Sequence, residues 1–182
     1  MTTYISVLRG INVGGKRKIL MADLKKLYLS LGFQNITTYI QSGNVIFDYP
    51  TSTDNENFEN NIQEAILQLY GFDVPVIIRK SEELQQIFNS NPFIKTEDFD
   101  INKLHLTFLK KKPEKENIDG LALIDTSPGK YQIIDKDIYI YCNGRTIDSK
   151  LTNKLFENKL KVRATNRNWN TVTKLHELII NQ

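Results

Sequence analysis

Asn35-Ile-Thr-Thr-Tyr-Ile-Gln-Ser-Gly-Asn-Val-Ile-Phe-Asp-Tyr49 holds two strands in immediate succession. β-Branched and aromatic residues fill both arms, Asn35 to Gln41 and Asn44 to Tyr49, and Ser42-Gly43 joins them tightly. What flanks this pair sets the fold. Before it, Tyr4 to Leu8 alternates as a strand, and Leu20, Leu24, Leu27, Tyr28 and Leu31 share one helix face that Gly32 is placed to cap. After it, Asp54 or Thr53 can cap a second helix, Thr53 and Glu56 having capping-box spacing. Phe58, Ile62, Ala65, Ile66 and Leu69 line that helix, Gly71 ends it, and Val74 to Arg79 is the next strand. The order β-α-β-β-α-β is that of a ferredoxin-like unit with an antiparallel sheet.

Both faces of this sheet read as apolar. Ile5, Val7, Ile36, Ile40, Val45, Phe47, Val74, Val76 and Ile78 are expected to face the helices, with Tyr4, Leu8, Tyr39, Ile46 and Ile77 on the other side. A sheet apolar on both faces needs both covered, so either two halves pack together or the chain dimerises. That weighs against an open RNA-reading sheet, and Asn44 to Tyr49 lacks the aromatic pattern of such sheets.

After a short helix, Ser81 to Asn89, the order begins again. Lys103 to Leu109 is a strand, a helix lies around Glu116 to Ile124, and the turn Ser127-Pro128-Gly129 follows. Strands Lys130 to Ile134 and Asp137 to Cys142 come next, then helices from about Lys150 to Leu160 and after Asn168. The expected class is α+β with two packed ferredoxin-like halves: residues 1–80, a connecting helix and loop at 81–102, and a second half at 103–182. In that second half a helix stands where the last strand would be.

The 182 residues are 40% apolar and 25% charged, an ordinary globular balance. No apolar run approaches the roughly 18 residues of a membrane span, and the N-terminus runs into a strand without a signal-peptide pattern. Cys142 is the only cysteine, so an internal disulfide and a thiolate-built zinc cluster are excluded. A cytoplasmic protein with no membrane association is expected. Net charge is +3, unevenly placed: residues 1–47 carry six Lys and Arg against one acid, residues 48–78 carry six acids and no Lys or Arg, and residues 149–182 carry seven Lys and Arg against two acids.

The strongest candidate site is the basic loop after the first strand. From Arg9 through Gly10, Asn12, Gly14, Gly15, Lys16, Arg17 and Lys18 it brings three glycines and four cations with no acid. Exposed amides, a helix start and clustered cations favour an anion, most simply a phosphate. Gly10 to Lys16 fits the body of a P-loop, but Arg17 stands where a hydroxyl would hold magnesium, so a nucleotide hydrolase is not expected. The alternative is a solvated turn whose glycines serve geometry. In a ferredoxin-like unit this loop and the hairpin between the second and third strands emerge at one end, so Gln41, Ser42 and Asn44 are expected beside it.

A second constellation, Arg163-Ala-Thr-Asn-Arg-Asn-Trp-Asn-Thr171, precedes the terminal helix. Asn168, Thr165 or Asn166 can cap that helix, while Arg163 and Arg167 repeat the anion-binding pattern, making Arg163, Arg167 and Asn168 a candidate opposite wall. Lys110, Lys111 and Lys112 read as a solvated strand end, and His105 and His176 lack a second ligand at metal spacing. No metal site, cofactor or catalytic triad is expected.

The run Tyr4-Ile-Ser-Val-Leu-Arg-Gly-Ile-Asn-Val-Gly-Gly15, with Met21-Ala-Asp-Leu24 and Thr38-Tyr-Ile-Gln-Ser-Gly-Asn-Val45, resembles an uncharacterised bacterial family labelled domain of unknown function 1697. Arg167-Asn-Trp-Asn-Thr-Val-Thr-Lys-Leu175 is similar to that family's other signature. The resemblance implies two packed ferredoxin-like halves and brings no activity, substrate or cofactor. Three functional readings stand open at this point. The first is a binding protein for a phosphate-bearing ligand, small metabolite or nucleic acid. The second is a metal-independent enzyme on a phosphorylated small molecule, and the third is a scaffold that homodimerises through the second sheet face.

Overall fold

The computed structural model describes residues 1–50, 54–94, 99–143 and 146–181. In chain order the elements are β1 (Thr2–Leu8), α1 (Met21–Ser30), β2 (Gln34–Tyr39), β3 (Asn44–Tyr49), α2 (Asn55–Tyr70), β4 (Val76–Lys80) and α3 (Ser81–Asn89). They continue with β5 (Leu104–Leu109), α4 (Lys115–Ala122), β6 (Lys130–Ile134), β7 (Asp137–Tyr141), α5 (Asn153–Leu160), β8 (Ala164–Asn168) and α6 (Trp169–Ile180). The fold is α+β, with two four-stranded antiparallel sheets ordered β2-β3-β1-β4 and β6-β7-β5-β8, each packed with helices. Two compact units result, Met1–Gln86 with Leu175–Gln182, and Ile87–Lys174.

In the first unit α1 and α2 cover one sheet face. Leu24, Leu27 and Tyr28 of α1 and Phe58, Ile62 and Ile66 of α2 share a core with Tyr4, Leu8, Val45, Phe47, Val76 and Ile78. Aromatic rings dominate it: Phe33 and Phe47 lie 4.3 Å apart, and Tyr4 stacks on Phe47 at 5.5 Å. Such pairs add to plain area burial. The expected parity of β1 is therefore reversed. Tyr4 pairs with Phe47 and shares its helix-side face, while Ile5 pairs with Ile46 and Val7 with Ile77 on the other side. Apolar character on both faces hid that choice, which the register makes. Ile40 is exposed rather than on the helix face, its φ of 49° bending the chain out of the strand.

Ile5, Val7, Ile46 and Ile77 are buried within the single chain. These four side chains therefore present no exposed apolar surface.

Tyr28 is fully buried, its hydroxyl 2.7 Å from Ser6 Oγ, and burial holds the phenol above its ordinary value of 10.0. Tyr139 is shifted the same way, by burial first and then by Asp137. A raised folded-state value means these phenols stay neutral where the unfolded chain has ionised them. Their stabilising contribution is complete below about pH 10 and lost as pH rises beyond it. Urea midpoints measured from pH 8 to pH 11 should fall steeply above about pH 10; a flat profile would contradict the burial.

Asp54 caps α2 by accepting the Glu56 N–H, whereas Thr53 lies outside the described residues. The free edge of β4 is closed by side chains: Glu59 accepts the Ile78 N–H at 2.8 Å, and Glu83 accepts that of Lys80 at 2.8 Å.

The second unit corrects the sequence reading at its end. Residues 164–168 form β8, pairing with β5, so this half has the full βαββαβ order followed by α6. The run Ala-Thr-Asn-Arg-Asn has no apolar alternation, which is why periodicity missed it. Glu157 of α5 accepts the Ala164 N–H at 3.0 Å, closing the free edge of β8 as Glu59 closes that of β4. Leu109, Ile138, Ile140, Cys142, Phe156 and Leu160 fill the helix-side core.

Candidate functional site

The β1–α1 loop is a small finger. Asn12 N–H donates to the Arg17 carbonyl at 3.1 Å and Lys16 N–H to the Val13 carbonyl at 3.0 Å, so Val13 and Lys16 bridge as a miniature antiparallel ladder. Gly14 and Gly15 form its two-residue tip at φ 58° and 74°, left-handed values that suit a tight hairpin turn and that glycine adopts without strain. The glycines therefore shape a turn rather than a P-loop. Several amides expected to meet an anion are engaged inside the fold, those of Asn12 and Lys16 within the finger, Leu8 by Gly43 and Arg9 by Pro75.

What the finger presents outward is charge. Lys16, Arg17 and Lys18 are exposed in succession, and none holds an ion pair with a described carboxylate. The Arg17 guanidinium folds back over Gly10, where an added Cβ would lie 3.6 Å from Nη1. Arg9 is half-buried at the base. Helix α1 opens only at Met21, without a side-chain cap, and Asp23 already places a carboxylate in its first turn. The helix start therefore meets its own acid.

The β2–β3 hairpin stands beside the finger, as the topology requires. Leu8 N–H donates to the Gly43 carbonyl at 2.8 Å. Asn12 is the clasp: its Nδ2 donates to the Gln41 carbonyl at 2.8 Å and to the Ile19 carbonyl at 2.9 Å, while its Oδ1 accepts the Ile19 N–H at 2.9 Å. Ile11 and Ile19, which the sequence reading passed over, are buried and anchor both legs of the loop. Asn44 is buried, donating to the Tyr39 carbonyl and to Ser42 Oγ, both at 3.0 Å. Asn12 and Asn44 thus hold the scaffold, and Gln41, Lys16, Arg17 and Lys18 form its outer surface.

The second constellation divides. Asn168 caps α6, accepting the Thr171 N–H at 2.8 Å and hydroxyl at 2.7 Å. Arg167 is buried, with Nη1 donating to the Asn166 carbonyl at 2.9 Å and to Thr165 Oγ1 at 3.3 Å. Burial pushes its guanidinium down to about 10, still charged at neutral pH. Arg163 is exposed. With Arg163 exposed and Arg167 buried, the two guanidiniums differ in their access to solvent. Elsewhere, Lys112 meets Asp135 at 3.5 Å with both side chains exposed, a solvated pair of little energetic weight. Cys142 is buried, and burial raises its thiol. Among the described residues no group of three or more His, Cys, Asp or Glu could hold a metal ion. Among them, too, no helix is long and apolar enough to cross a membrane.

The family described as "Protein of unknown function (DUF1697)" matches residues 1–139, which include the finger and the β2–β3 hairpin and exclude Arg163 to Asn168. No curated protein matches the chain. The solved structure of the conserved bacterial protein SP0830 from Streptococcus pneumoniae is similar, with TM-score 0.68 and 22% identity over 97% of each chain. At that identity the likeness shows the fold alone.

Proposed function

The chain belongs to the DUF1697 family, whose function is unknown, and from that premise we propose that it binds a phosphate-bearing ligand through the β1–α1 finger. One observation carries the reading: Lys16, Arg17 and Lys18 are successive, exposed and unpaired by described carboxylates, on a loop fixed by Asn12. Cations on a projecting turn suit an extended array of phosphates better than one enclosed metabolite, so nucleic acid is the favoured ligand and a small phosphorylated molecule the other. Arg163 is kept as a further exposed cationic contact. Arg167 and Asn168, engaged by their own strand and helix, are not. A cytoplasmic setting accords with such a ligand.

Fluorescence anisotropy with a labelled oligonucleotide, repeated over a salt series, tests this. Wild type should bind at low salt, and the variant K16A/R17A/K18A should lose about 3 from the slope of log K against log salt. Calorimetry with ATP and inorganic phosphate separates the small-ligand case. Binding to none of these probes, or equal salt slopes for variant and wild type, would remove the proposal.

A further inference from the structure

Three of the four sheet edges are visibly closed. Glu59 and Glu83 occupy the β4 edge, and Glu157 takes the Ala164 N–H of β8. β2 breaks register between Gln34 and Thr37, with Asn35 at φ 50° and its amide tied to Asp48 Oδ2 at 2.8 Å. Bulges and side-chain covers of this kind keep strand edges from pairing with other chains. β6 has neither. Lys130–Ile134 pairs with β7 in unbroken register, and no described side chain hydrogen-bonds its backbone. Ile134 and Asp137 close a two-residue turn, so Lys130, Gln132 and Ile134 direct their N–H and C=O groups toward β7. Those of Tyr131 and Ile133 are left on the open edge.

We propose that β6 is a self-association edge, at which two copies of this chain join antiparallel about a two-fold axis through Gln132. The strand is complementary to itself in that register. Tyr131 lies opposite the partner's Ile133, and the reverse pair repeats it, so the four outward backbone groups of each strand are satisfied together. Both side chains are half-buried in the single chain and become aromatic–β-branched cross-strand pairs. Lys130 faces the partner's Ile134, so no like charges oppose, and the exposed Asp135 lies one position beyond. Such a contact is isologous. Its few residues place it with small, concentration-dependent interfaces.

Gln132 is exposed, so its substitution spares the fold while acting on the axis. Q132E or Q132K sets two like charges about 5 Å apart across the joint. Sedimentation velocity over a protein-concentration series should show a monomer–dimer equilibrium for wild type and monomer for each variant. An equimolar mixture of Q132E and Q132K should recover the dimer, because the opposed charges then attract. Wild type that stays monomeric throughout, single variants that associate as wild type does, or a mixture that stays monomeric would each overturn the assignment.

Discussion

Gly43→Ala is expected to destabilise the first unit by roughly 3–5 kcal/mol, the sum of left-handed backbone strain and overpacking. Gly43 sits at φ 78°, and an added Cβ would lie 2.7 Å from Leu8 Cβ and 2.8 Å from Ile11 Cδ1. Leu8 Cβ is fixed by strand β1 and cannot withdraw. The collision falls where β1, the finger and the β2–β3 hairpin meet, because the Gly43 carbonyl also receives the Leu8 N–H. Gly14→Ala supplies the control. Its φ of 58° carries the same kind of strain, but nothing lies within 4 Å of the added Cβ. It should cost only about 1–2 kcal/mol. Urea denaturation of both variants separates strain from contact, and equal losses would show that close approach at Gly43 contributes nothing.

Trp169→Ala is expected to remove about 3–5 kcal/mol from the second unit, the usual range for deleting a large buried ring. The indole is buried, stacked on Phe88 at 5.7 Å and 14°, and 6.2 Å from the ring of Tyr139. Tyr139 in turn donates its hydroxyl to the Ile87 carbonyl at 3.0 Å, so the cluster ties α3, β7 and the start of α6 together. Trp169→Phe keeps a stacking ring and should recover more than half of the loss. Thermal unfolding followed by circular dichroism reads both variants. An alanine variant as stable as wild type would mean that this ring does not hold those elements.

Alternation and helical spacing carried most of the fold. Tyr4 to Leu8, the strand pair around Ser42-Gly43, and the helix begun by Asp54 and ended by Gly71 all follow from local chemistry, and their order specifies an antiparallel ferredoxin-like sheet. The same order places the basic finger beside Gln41 to Asn44. Two of the readings that failed did so for one reason. The parity of β1 could not be read where both faces are apolar, and β8 could not be read where neither is. In each case cross-strand pairing, Tyr4 with Phe47 and Thr165 with Phe108, supplies information absent from the segment itself.

The candidate site was legible as composition and not as roles. Asn12, Arg167 and Asn168 are polar residues in basic surroundings and Asn44 sits in a polar hairpin, and residue type cannot tell a ligand contact from a structural bond. Their partners lie as far as 29 residues away in the case of Asn12.

By itself the amino-acid sequence determined the fold class, the element order of the first unit and the concentration of cations after the first strand, since these depend on interactions within a few residues. Tertiary structure alone decided which face Tyr4 takes, that Gly14-Gly15 forms a hairpin tip, that Arg167 is buried, and that β6 keeps an open edge. Each of those depends on which distant backbone a residue is paired against, and a linear pattern does not contain that pairing.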